Sequence, residues 1–252
     1  MIEVRQVSKS YGSKKVVDDV SVRIQKNRIT AFIGPNGAGK STLLSIISRL
    51  ISKDTGSISI EGKELASCKS SDLAKQISIL KQSNHINVRL TVRELVSFGR
   101  FPHSQGRLSA EDWRYVDEAI RYMELEELQH NYLDQLSGGQ NQRAYIAMVI
   151  AQNTDYILLD EPLNNLDMRH SVQIMKVLRR LVNELGKTVI IVIHDINFAS
   201  CYADHIVALK NGRVVKEGRT EQIIDSSVLK LVYDMDIPVQ TIEGNSICIY
   251  FK

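Results

Sequence analysis

The chain has 252 residues, 43% of them apolar and 24% charged, which excludes collagen-like, low-complexity and strongly disordered classes and permits one large α/β domain or two small ones. Thirty-two Lys plus Arg against 29 Asp plus Glu leave a formal charge of +3 without blocks of like sign, so bulk electrostatics gives no support to a nucleic-acid partner. Cys68, Cys201 and Cys248 stand far apart in no metal-ligand spacing, which argues against a disulfide framework or a zinc site and for a reducing cytoplasm.

Alternation in Ile2–Val7 and Val20–Ile24 predicts half-buried strands, and Ile29–Ile33 is a short apolar run ending at a glycine turn. Lys40–Ile51 turns helical, with Leu43, Ile46, Ile47 and Leu50 on one stripe. Gly56–Ile60 and Ile77–Leu80 return to strand. From about Thr91 to Gln152 strand signals nearly vanish, and helices are predicted near Thr91–Phe98, Ser109–Met123 and Gly138–Gln152, a helical insertion in a sheet domain. Tyr156–Leu159 and Thr188–Ile193 are buried runs separated by a helix whose Ile174, Val177, Leu178, Leu181 and Leu185 share a face; a parallel sheet with crossover helices fits. Ile206–Leu209 and Arg213–Lys216 flank Asn211-Gly212, a type I′ hairpin signal marking an antiparallel edge. From Thr220 come two short helices and a strand-like stretch, Ser246–Phe251. The chain has no repeat, no linker, no run of 18 apolar residues and no basic-then-apolar leader after Met1. It is expected to form one domain over 1–252 that neither spans a membrane nor is exported by the usual signal.

Gly34-Pro35-Asn36-Gly37-Ala38-Gly39-Lys40-Ser41, followed by Thr42, fulfils GxxxxGK[ST] between a predicted strand and a predicted helix, the context that gives this motif its meaning. Its glycines let successive backbone N–H groups curl around anionic oxygens at the positive end of a helix. Lys40 is placed to reach β- and γ-phosphates, and the Ser41 hydroxyl to ligate Mg²⁺. A second metal anchor is supplied by Tyr156-Ile157-Leu158-Leu159-Asp160-Glu161, an apolar strand ending in two acids. Asp160 is the metal-side candidate. Glu161, one residue on and pointing elsewhere, is the candidate to polarise the attacking water.

Leu136-Ser137-Gly138-Gly139-Gln140 opens a predicted helix, its glycines allowing close approach to a phosphate while Ser137 and the helix N-terminus donate hydrogen bonds. With the phosphate loop and the acid-ended strand, this motif makes the chain resemble, over nearly its whole length, the ATP-binding cassette family, the ATPase subunits of ABC transporters. That resemblance implies a P-loop NTPase α/β fold. Its RecA-like core and antiparallel β part would take about 1–82 and 153–252, and its helical subdomain about 83–152. It also implies that LSGGQ of one subunit closes over the γ-phosphate held by another, so a chain with one of each motif must pair with a second ATPase subunit, most simply its own copy. By the same resemblance Tyr11 stacks on adenine, Gln82 is the Q-loop glutamine that senses Mg²⁺–ATP, Asp167 is the D-loop aspartate and His194 is the switch histidine at the γ-phosphate. The segment after Glu161 departs from the common form, with Asn164 for Ser or Thr, Asn165 for Ala and Met168 where Pro is frequent. Asn141, where Arg or Glu often follows LSGGQ, is a smaller departure.

Phe98-Gly99-Arg100-Phe101-Pro102-His103 resembles the stretch that importers of the iron–siderophore, haem and cobalamin type carry beside the groove for the permease's coupling helix; taken alone it is a Gly/Pro turn between helices. With a short C-terminus and no regulatory domain, the resemblance implies an ATP hydrolase on the cytoplasmic face of the cell membrane. It would be peripheral, engage permease subunits through the helical subdomain and a substrate-binding protein only indirectly, and power ferric-siderophore uptake. Haem, cobalamin or another cargo, or an exporter cassette, remain open. NKxD, the guanine signature of GTPases, is absent, and 91–152 is too short for the coiled coil of chromosome-organising ABC ATPases.

Overall fold

The computed structural model describes residues 1–82, 88–164 and 166–251; Asn165, one of the D-loop departures, lies outside the described residues. Packing divides the chain into two compact units, Met1–Cys68 with Thr188–Lys252, and Lys69–Lys187. The sequence boundaries at 82 and 152 mark where strand pattern gives way to helix; the packing boundaries enclose, with those helices, the strand pair that flanks them.

The first unit begins with the hairpin β1 (Ile2–Tyr11) and β2 (Lys14–Ile24), in register Ile2↔Ile24 and Val4↔Val22. β4 (Thr55–Ile60) pairs antiparallel with the other edge of β1, and β5 (Lys63–Glu64) follows it. One face of this sheet is buried through Ile2, Val4, Val20, Val22, Ile24, Ile58 and Ile60, the period of two that alternation reads. Both hairpin strands are longer than the alternation delimits. Gln6 and Asp19 have φ of 50° and 53°, and the register slips between Val4 and Val7, so irregularities of the β-bulge kind interrupt the period and hide the ends of the strands. β3 (Ile29–Ile33) is buried at every residue. α1 (Lys40–Ile47) is shorter than its apolar stripe, because Arg49 takes a left-handed φ of 59° and ends it.

The second unit runs through α2 (Ser70–Leu73), β6 (Ile77–Leu80), α3 (Val92–Phe98), α4 (Phe101–Ser104), α5 (Ala110–Tyr122), α6 (Gly138–Ala151), β7 (Tyr156–Asp160) and α7 (Met168–Leu185). β6 and β7 pair in parallel, Leu80 opposite Leu159. Three helices start at capping boxes, Thr91 with Glu94, Ser109 with Asp112 and Ser137 with Gln140, so the donors orphaned in each first turn are met locally. The Phe98–His103 stretch serves two ends. Arg100 is 4% exposed and bonds Asp112 Oδ1 at 2.9 Å and the Ala151 carbonyl at 2.9 Å. Phe98 and Phe101, by contrast, are exposed.

The chain then returns to the first unit. β8 (Thr188–Val192) and β9 (His205–Lys210) flank β3 in parallel, with α8 (Ile196–Tyr202) between them in sequence. β10 (Arg213–Arg219) folds back on β9 over Asn211-Gly212, whose φ values of 49° and 78° are those of the expected type I′ turn. α9 (Thr220–Ile223) and α10 (Ser226–Tyr233) are the two short helices. The final strand-like stretch is one arm of a hairpin, β11 (Val239–Ile242) with β12 (Asn245–Cys248), and it ends at Cys248 instead of Phe251. The three cysteines are free.

Candidate functional site

In the first unit, β3 delivers the chain into the phosphate loop at Gly34. A Cβ there would stand 2.0 Å from the Leu209 carbonyl oxygen, and one at Gly39 2.4 Å from that of Val16, at φ of 138° and 96° respectively. Backbone closing on backbone therefore requires glycine at both places. The far side of the loop is held by Gly212, whose N–H donates to the Ala38 carbonyl at 3.1 Å. Gly39 leads into α1 without a side-chain cap, leaving a helix N-terminus suited to an anion. Lys40 is 4% exposed, its ammonium donating to the carbonyls of Gly34 at 2.8 Å and Pro35 at 3.0 Å. A buried ammonium satisfied by two neutral carbonyls is poised to exchange them for phosphate oxygens.

Tyr11 ends β1 opposite Lys14 in the hairpin that carries Val16 onto Gly39, and its exposed ring lies 5.7 Å from Lys9 Nζ. An exposed aromatic ring of this kind can stack on a base. Because Phe32 of β3 pairs with Val192 of β8, Gly34 and His194 leave the same end of adjacent parallel strands. Asp195 then caps α8 by accepting the Asn197 N–H at 2.8 Å, while the Asn197 side chain exchanges two hydrogen bonds with the Cys248 backbone. The C-terminal hairpin thus secures the segment after His194.

Sequence reasoning missed Tyr233, at the end of α10. Its hydroxyl oxygen accepts the Gly34 N–H at 3.1 Å, and burial raises the phenol well above its ordinary pKa, although that bond works the other way. Lys210 steadies this helix end, donating to the Leu231 carbonyl at 2.8 Å and pairing with Asp234 at 2.6 Å. No local pattern marks the residue; only its contact with the loop reveals it.

In the second unit, β7 is buried throughout and carries Asp160 at its end, followed by Glu161 at φ 52°. This left-handed turn at a non-glycine residue separates the directions of the two acids. The parallel register brings Gln82 beside Glu161, and the Gln82 amide donates to Glu161 Oε2 at 2.6 Å. The Asn164 amide donates to the same oxygen, so the departure at Asn164 bears directly on the candidate water-polarising carboxylate. Ser137 and Gly138 are exposed at the start of α6, and the Ser137 oxygen accepts the Gln140 N–H at 3.3 Å. Asn141 buries its Oδ1 without a hydrogen-bond partner among the described residues. Asp167 caps α7, accepting the His170 N–H at 2.8 Å, and that bond leads in holding its carboxyl below the usual range.

The residues expected to hold Mg²⁺ offer a hydroxyl at Ser41, an amide oxygen at Gln82 and a carboxylate at Asp160, all hard oxygen donors suited to that ion. Among the described residues there is no cluster of three or more His, Cys, Asp or Glu side chains that could hold a metal.

Residues 17–164 match the ABC transporter family model. The petrobactin import ATP-binding protein YclP of Bacillus subtilis is 68% identical over 252 residues, covering all of both chains. Petrobactin import protein FatE of Bacillus anthracis is 48% identical over 239 residues, 95% of this chain and 96% of that one. Among solved structures, the dimeric post-hydrolysis state of the ATP-binding cassette MJ0796 bound to ADP and Pi superposes with a TM-score of 0.78 at 33% identity, covering 87% of this chain and 99% of that chain. With the phosphate loop, the acid-ended strand and the capped signature helix in place, the chain belongs to the ATP-binding subunits of ABC transporters, the cassettes that bind and hydrolyse ATP.

Proposed function

We propose that this cassette energises import of an iron–siderophore complex through a separate membrane permease. The observation that carries this reading is the 68% identity, without a gap in coverage at either end, to a petrobactin import ATPase. Among the described residues no helix is long and apolar enough to cross a membrane, and in this reading the permease is another chain. The subunit sits on the cytoplasmic face, contacts its permease through the helical part at about 83–152, and meets the substrate-binding protein only through that permease. The exposed Phe98 and Phe101 are among the side chains in that part suited to a coupling contact.

In this reading Tyr11 stacks on adenine and residues 34–42 wrap the phosphates, while Ser41, Gln82 and Asp160 would hold Mg²⁺, which when bound would neutralise phosphate charge. Glu161 orients water and accepts its proton, and His194 holds the γ-phosphate. Ser137–Gln140 and Asp167 of a second subunit complete the site, so hydrolysis belongs to the closed dimer. The test is uptake of labelled ferric petrobactin in a strain lacking this chain, restored by the wild type and not by Lys40→Ala. Restoration of haem or cobalamin uptake alone, or of export, would replace the cargo assignment.

A further inference from the structure

The two glycines of the signature motif occupy different surroundings. A Cβ at Gly138 would meet nothing within 4 Å, whereas one at Gly139 would stand 3.0 to 3.2 Å from Cγ, Nδ1 and Cδ2 of His170. Three adjacent ring atoms at near-equal distance mean that the imidazole presents its face to Gly139. The same ring reaches Asp167, with Nδ1 2.8 Å from Oδ1. A second tie lies farther along α6, where the Gln142 amide donates to the Pro162 carbonyl at 3.0 Å. Close approach to a phosphate therefore does not account for Gly139 by itself. A side chain there would press on a residue of its own subunit, and the His170 ring would have to give by a few tenths of an ångström to admit it.

We propose that His170 is a positioning residue for ATP hydrolysis, joining the signature segment and the D-loop aspartate of one subunit into a single bracket. The proposal rests on the half-site reading given above, in which these two segments are what each subunit offers to its partner. Two segments that move independently each lose freedom when a partner is engaged, and linking them beforehand lowers that cost. Neutral imidazole with its proton on Nδ1 suffices for the bond to Asp167, so no charge on the histidine is required. The N-cap of α7 uses the His170 backbone N–H, so removing the ring leaves that cap in place.

The test measures the protein concentration at half-maximal ATP-dependent dimerisation by sedimentation, in a Glu161→Gln background, with His170→Ala and His170→Asn added. ADP affinity by calorimetry and Tm are measured alongside. For His170→Ala the expected result is a rise in that concentration of about tenfold, with ADP affinity unchanged and Tm lowered by no more than about 3 °C. His170→Asn, whose amide can donate to Asp167, recovers most of the loss. Dimerisation of His170→Ala at the parent's concentration overturns the bracket while leaving the half-sites standing. So does a loss that His170→Asn shares in full and that tracks a fall in Tm. A Glu161→Gln parent that stays monomeric with ATP sinks the half-site reading itself, and the bracket with it.

Discussion

Gly34–Thr42 is held by backbone closing on backbone, whereas the region from Ser137 to Asp167 is held by side-chain hydrogen bonds, most of them to other side chains. At Gly34 and Gly39 the opposing carbonyls of Leu209 and Val16 leave no room for a Cβ. In the second region the holding groups are the amides of Gln82, Asn164 and Gln142 and the ring of His170. The first arrangement admits one residue type and so writes itself plainly into the sequence. The second admits substitution, and Asn164 in place of Ser or Thr is an instance.

The largest effect that bears on this contrast is expected at Glu161. Replacing it with Gln should lower kcat by on the order of 10²–10⁴ while preserving ATP-dependent dimers; normal turnover would remove Glu161 from its role. Next comes Lys40→Ala in the backbone-held loop, which leaves phosphate charge unpaired and should cost on the order of 2–3 kcal/mol of ATP binding, roughly a hundredfold in Kd. Calorimetry showing unchanged affinity would contradict it.

Asp112→Ala tests whether side-chain ties carry the second region. It strands the buried Arg100 guanidinium and should cost about 3 kcal/mol of that unit's stability in chemical denaturation. The same pair makes a pH prediction. Hydrogen bonds from the Ser109 backbone, and then from the side chains of Ser109 and Arg100, hold the Asp112 carboxyl down to about 2, below the ordinary carboxylate range, against the opposing pull of burial. Its folded value is depressed, so its stabilisation is present in full above the unfolded value and is lost as pH falls from about 4 towards 2. Asp112→Asn should remove that window from the stability profile and leave the profile above it unchanged in shape. The smallest effect is expected at Tyr233→Phe. Depriving Gly34 of one acceptor should weaken nucleotide binding by about 1 kcal/mol, a several-fold change in Kd, with little change in Tm.

The structure also divides the Phe98–His103 stretch more finely than its sequence does. Arg100 is committed to Asp112 and Ala151 and serves folding. Phe101→Ala should therefore reduce uptake while sparing basal ATPase, and Arg100→Ala should lose both together. A parallel loss of both activities in Phe101→Ala would assign the whole stretch to packing.

Legibility followed the same physics. β3, β6 and β8, short and mostly apolar, end within a residue of where their sequence pattern ends, because near-complete burial favours apolar residues along the whole strand. β1 and β2 were legible only in part, since the turns at Gln6 and Asp19 break the alternation. β11 carries little apolar pattern, as three of its four residues are exposed, and its turn at Glu243-Gly244 lacks the Asn that made the other hairpin plain. In the site, Tyr233 and His170 were invisible for a related reason. Tyr233 acts across 199 positions of sequence, and His170 acts through a ring contact that no spacing encodes, although an aspartate followed three residues later by histidine at a helix start was available as a faint cue.

The central claim is that each copy of the chain carries two incomplete half-sites. It is tested most directly by measuring specific ATPase activity and solution mass together, over a wide range of protein concentration. Activity per chain that rises with concentration as dimers form with ATP is the predicted result. Full-rate hydrolysis by a species that stays monomeric throughout the range would contradict it.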